Sequence, residues 1–202
     1  MPFLMVLVAA TVSRALSGGM EWLYPLRFVA AGLALWVFRQ KYAAMQWRFG
    51  WAAPLTGGVV FLMWIALDRA FGAHINSTMG AALASLPYNA RIAWLAFRTL
   101  GAVVTVPIAE ELAFRGFLLR RLISADFESV GSRRVSVLAL VLSSVAFGAM
   151  HGDRWLAGTL AGLLYALVLL RRGRIGDAVI AHATTNALLA VWVLLSGSWD
   201  LW

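Results

Sequence analysis

Residues 97–119 read FRTLGAVVTVPIAEELAFRGFLL. The run is long enough to cross a hydrocarbon core of about 30 Å, which takes about 20 residues. It nevertheless carries two adjacent carboxylates, Glu110 and Glu111, and the basic Arg115. Ionisable groups in hydrocarbon cost about 3 kcal/mol each on insertion scales. A chain that keeps them there needs them for a partner or a reaction. Two further apolar runs have the same character: one ends Phe147-Gly148-Ala149-Met150-His151, the other contains His182-Ala183-Thr184-Thr185-Asn186. Together they predict a polar site inside a polytopic, all-α bundle of membrane helices.

Composition agrees. The chain has 202 residues, of which 62% are hydrophobic and only 13% charged, and its mean hydropathy is +0.81. A soluble domain is closer to 45–50% apolar and about 25% charged, and a fold of this size has no core large enough to hide the excess. The net charge of +8 and pI near 11.2 follow from lysine and arginine gathering in cytoplasmic loops, so no nucleic-acid partner is expected. The absence of cysteine excludes disulfides, thiolate catalysis and cysteine-held metal. Ten tryptophans and four tyrosines suit the belts at the two membrane interfaces.

Apolar runs alternating with short polar breaks predict membrane helices near 2–16, 22–38, 52–71, 97–119, 135–151, 155–170 and 176–195. The first, Met1 to Val12, has the apolar core of a signal peptide without its basic start, and reads as a short first crossing. The stretch 79–96, interrupted by Pro87, Asn89 and Arg91, reads as a helix lying in the interface. No linker or repeat divides the chain, so residues 1–202 are expected to be one membrane domain with a catalytic core over 95–195. With seven crossings the basic loops at 39–48, 120–134 and 171–174 share one side. The positive-inside rule makes that side cytoplasmic.

Glu111 and Arg115 are one helical turn apart and can pair in the favoured acid-before-base order. Glu110, turned about 100° away, lacks that partner, and a carboxylate in a dry site suits a general base. Pro107 removes a helix hydrogen bond just before the pair. Phe147 and His151 share a spacing of four, as do His182 and Asn186. The latter two can aim two donors at one point, as an oxyanion site does, or bind metal through His182. Each motif alone has a structural alternative, an ion-pair cluster or helix–helix hydrogen bonding. Gly158 and Gly162 mark close helix packing, and His74 reads as a loop residue. At about 1.5 Å per residue, His182 and Glu110 lie about 12 and 15 Å from the basic side, but His151 nearer 25 Å. Convergence therefore requires a fifth helix that is tilted, broken or later-starting.

Glu-Glu-x-x-x-Arg, Phe-x-x-x-His and His-x-x-x-Asn, complete and in order over 110–186, resemble the CAAX protease and bacteriocin-processing (CPBP) family of intramembrane proteases, related to the type II CAAX prenyl endopeptidase. The small size also resembles the CAAX-protease-related proteins of exosortase sorting systems. The resemblance implies peptide-bond hydrolysis of a membrane-embedded or lipidated substrate, prenylated or C-terminally sorted, in a multi-pass protein of the bacterial inner membrane. It implies catalytic roles for Glu110 and His151 in activating water and for His182 and Asn186 at the oxyanion, supported by Glu111, Arg115 and Phe147. It allows either a metal-free glutamate mechanism or zinc held by Glu110, His151 and His182, and the sequence favours the former because no ligand pair sits at i, i+4. Two rival readings are a non-catalytic immunity or accessory protein that keeps the fold, and a proton-coupled transporter using the same groups as a relay.

Overall fold

A computed structural model of the chain describes residues 2–17, 21–72 and 78–202; His74 and parts of the breaks at 17–19 and 72–78 lie outside them. The described residues are helical, without strands. The main helices are α1 (Pro2–Ser17), α2 (Tyr24–Val37), α3 (Ala52–Phe71), α4 (Tyr88–Arg121), α5 (Val137–Ala149), α6 (Trp155–Arg172) and α7 (Ile175–Ser196). Four stretches are long and apolar enough to cross a membrane: α3, α4, Gly152–Arg172 and α7. Part of α1, and all of α2 and α5, are apolar but shorter. Leu55, Phe71, Val137 and Leu195 are 69%, 76%, 76% and 84% exposed, which is stable only against lipid. The chain is an integral membrane protein.

Two expected boundaries are corrected. The stretch 79–96 is not one separate helix: a short helix ends at Ala84, and α4 begins at Tyr88 with Pro87 at its N-cap. Proline there loses no helix hydrogen bond, so Asn89 and Arg91 fall in the first turns of the helix that carries the glutamates. The fifth helix starts at Val137 and ends at Ala149, leaving His151 in the following turn. Gly152 there adopts φ +57°, a conformation glycine takes without steric cost.

By its contacts the chain divides into two compact units, 1–43, 74–109 and 186–202 in one, 44–73 and 110–185 in the other. The boundaries at 109/110 and 185/186 fall inside α4 and α7 rather than in linkers. In the first unit α1 packs on α2, and α2 on Tyr88–Leu100. Tyr24, Leu83 and Trp94 form a small core there. In the second, α6 packs on α5 and α3. The α5–α6 approach is close because Gly148 lies against Thr159 and the Trp155 carbonyl, while a side chain at Gly162 would meet Ser144 at 3.2 Å. The glycine spacing of α6 serves packing, as its sequence predicts. Thr185 joins α7 to α3 by donating to the Gly57 carbonyl at 2.9 Å.

The winding of α4 is not uniform. Gly101–Thr105 and Leu112–Leu118 are π-helical, and the α-helical turn Val106–Glu111 lies between them. Such bulges concentrate at functional sites, and the first has a local cause. Val106 N–H donates to the Gly101 carbonyl, so the next donor in that register would be residue 107, aimed at Ala102. Proline has no N–H. The Asn186 side chain fills the gap, donating from Nδ2 to the Ala102 carbonyl at 2.8 Å. Asn186→Leu removes that donor and leaves a carbonyl unpaired, at about 1–3 kcal/mol. The melting temperature of detergent-purified protein should fall by about 2–12 °C. Adding Pro107→Ala, which returns a backbone N–H, should recover part of the loss. If Asn186→Leu melts like wild type, the amide has no such structural duty.

Candidate active site

The second unit gathers Glu110, Glu111, Arg115, Phe147, His151 and His182. Glu111 is fully buried, and its Oε1 accepts from two groups: Arg115 Nη1 at 3.1 Å and His182 Nδ1 at 3.0 Å. Arg115, 3% exposed, also donates from Nη2 to the Gly162 carbonyl at 2.8 Å. The predicted Glu111–Arg115 pair therefore forms, and it holds the histidine of α7 as well. Glu110 is placed differently. Its Oε2 lies 3.9 Å from His182 Nε2, and its carboxylate has no arginine within ion-pair distance among the described residues. His182 thus stands between two neighbouring glutamates, one at each ring nitrogen.

Phe147 organises the rest. Its ring is 1% exposed and carries the Arg115 guanidinium at 4.4 Å. It meets Phe114 edge-on at 5.2 Å, His182 at 5.6 Å and His151 at 4.8 Å. His151 reaches Phe147 because its Nδ1 folds back to the Phe147 carbonyl at 2.9 Å. A helical side chain leans toward the N-terminus, and here the residue just past the helix does the same. The later start of α5, its end at Ala149 and this fold-back together bring His151 to the site. A carbonyl only accepts, so Nδ1 bears the proton and neutral His151 presents Nε2 as an acceptor.

Three aromatic neighbours are not signalled by the motifs. Tyr165 of α6 stacks on His182, with centroids 4.9 Å apart and planes 16° from parallel. Trp64 of α3 lies edge-on to His151 at 5.4 Å. Its indole N–H is a buried donor without an acceptor among the described residues. Phe114 closes the far side of Phe147. Nothing in spacing marks Tyr165 or Trp64, since each belongs to a different helix from the group it touches. Just beyond Trp64, Asp68 pairs with Arg154 at 2.7 Å and fastens the end of α3 to the turn after His151.

Residues 92–188 match the family model described as type II CAAX prenyl endopeptidase, Rce1-like. Over this stretch, a little under half of the chain, it is similar to the Rce1-like family. No curated protein and no solved structure matches the chain. The Rce1-like segment begins in the first turns of α4 and ends just after Asn186, so it contains all three motifs. It supports a CAAX-type intramembrane endopeptidase, a hydrolase, in general terms. As for zinc, no group of three or more histidine, aspartate or glutamate side chains stands at metal-holding separation among the described residues. Glu110, His151 and His182 as placed do not make a ligand set.

Proposed function

We propose that the protein hydrolyses a peptide bond of a membrane-embedded or lipid-modified substrate, using water activated by Glu110 and His151. The observation that carries this reading is the grip of Glu110 and Glu111 on the two nitrogens of His182. Glu111, fixed by Arg115, orients the imidazole, which leaves Glu110 as the carboxylate available for proton transfer. A water held by Glu110 and by Nε2 of His151 meets two acceptors, one for each hydrogen. As its oxygen bonds to the substrate carbonyl carbon, one proton passes to Glu110, and the carbonyl electrons move to oxygen. His182, in its protonated form, directs Nε2–H to that oxyanion. The motif resemblance implies Asn186 as the other oxyanion donor, and its amide keeps a second hydrogen beyond the one spent on Ala102. The C–N bond then breaks, and Glu110 returns its proton to the leaving amine. General acid–base catalysis of this kind contributes about 10²–10⁴-fold, and preorganised oxyanion donors a similar order.

The basic loops support seven crossings with the N-terminus in the cytoplasm and a place in a bacterial inner membrane. Phe147, Phe114 and Tyr165 wall the site against water, which strengthens every charge interaction inside it. The test is cleavage of a quenched peptide library by detergent-purified protein, with and without a zinc chelator. Turnover unchanged by the chelator supports the metal-free route. Turnover lost with chelator and restored by zinc would replace it with a metalloprotease, and no turnover on any peptide would favour the accessory-protein reading.

A further inference from the structure

On the far side of Arg115 from Glu111, the second unit holds a small cavity, open to solvent, between the basic ends of α4, α6 and α7. Its polar lining includes Arg115, Arg120, Ser132 and Arg134, its apolar lining Leu119 and Leu169, and no acidic residue faces it. Arg115 reaches it from the catalytic side while bound to Glu111 and the Gly162 carbonyl. Arg120 gives Nε and Nη2 to the backbone carbonyls of Val130 and Glu128, each at 2.9 Å, which pins the 122–134 loop over the cavity without neutralising the charge. Arg134 has no carboxylate within 4.0 Å among the described residues. Two arginines without a carboxylate partner therefore line one cavity with a third, Arg115. Like charges lining one cavity are unfavourable, and an anion that accepts from them in the forked geometry of guanidinium offsets that cost.

We propose that this cavity binds a phosphate group, and that its bearer is the headgroup of an anionic phospholipid. The lining is two-sided in the way such a ligand requires: arginine and serine for the phosphate, leucines for the start of the acyl chains. Basic pockets between helices at the cytoplasmic side take such headgroups. The ordinary excess of arginine in cytoplasmic loops accounts for attraction to an anionic surface, but not for three arginines lining one cavity with no acidic residue among them. Arg121 separates the two ideas. It is exposed, neighbours Arg120 in sequence and does not line the cavity.

The experiment is native mass spectrometry of the delipidated full-length protein incubated with phosphatidylglycerol, with phosphatidylcholine, or with inorganic phosphate. Wild type, Arg134→Gln and Arg121→Gln are run together, and a melting curve for each checks that the fold is kept. Phosphatidylglycerol should be retained in preference to phosphatidylcholine, and Arg134→Gln should weaken that retention about tenfold. Arg121→Gln should change it less than about twofold. Retention of inorganic phosphate that is equally sensitive to Arg134→Gln would keep the anion site but assign it to a free phosphate. Equal losses in the two variants, or no preference between the two lipids, would overturn the proposal. None of these readings depends on proteolysis.

Discussion

Glu110→Gln should lower the turnover of peptide cleavage by about 10²–10⁴-fold, while the melting temperature stays within about 2–4 °C of wild type. The substitution is nearly isosteric and keeps one oxygen toward His182, so packing around the site is preserved. What disappears is the only carboxylate of the cluster that is not already committed to an arginine. Glu111 cannot substitute for it, because its Oε1 is shared between Arg115 and His182. A general base that has become an amide cannot take the proton of the attacking water, nor return one to the leaving nitrogen. The effect should therefore fall on kcat more than on KM. Side-by-side kinetics of wild type and variant on one peptide, with thermal melts, test both halves. Activity within tenfold of wild type would sink the assignment. An accessory protein would show an unchanged phenotype, and a proton-coupled transporter would lose pH-dependent flux instead.

Much of this site is legible in the sequence because membrane burial makes polar residues conspicuous. Glu110, Glu111, Arg115, His151, His182 and Asn186 each interrupt an apolar run, and the i, i+4 spacing of Glu111 and Arg115 gives their ion pair directly. The glycine spacing of α6 is equally readable, since a backbone approach needs the absence of a side chain. Other features depend on contacts between distant residues and leave no periodic trace. Tyr165 stacked on His182, and Trp64 set edge-on to His151, read in sequence as two more aromatic residues in apolar helices. The start of α4 is misread because Pro87, Asn89 and Arg91 resemble a break, whereas proline at the N-cap begins a helix without cost. Asn186 illustrates a mixed case. Its share of the face with His182 is visible in the spacing, but its bond to Ala102 follows from a π-helical register at a proline, which no spacing rule expresses. His151 is the reverse, since its distance along the helix argued against convergence. A break after Ala149 and a folded-back ring remove the conflict.

Arg115→Met should be the most destabilising of the substitutions considered, because of what it leaves behind. Glu111 is buried to 0% exposure, and one of its oxygens, Oε2, has no hydrogen-bond partner among the described residues. Without the guanidinium its charge would rest on His182 alone, and the Gly162 carbonyl would lose its donor too. Removing one partner of a buried pair typically costs about 3–5 kcal/mol, whereas replacing both by apolar groups is often neutral. In a protein of this size that corresponds to a fall in melting temperature of about 6–20 °C. Methionine retains much of the stem that packs on Phe147, so little of the loss would come from packing. The double variant Glu111→Leu/Arg115→Met separates charge from volume, since both charges go together. It should melt above Arg115→Met by several degrees, yet remain inactive, because His182 then has no carboxylate on Nδ1 to fix its ring. A double variant that melts no higher than the single one would place the loss in packing. A double variant that cleaves peptide at the wild-type rate would remove Glu111 from any role in orienting His182.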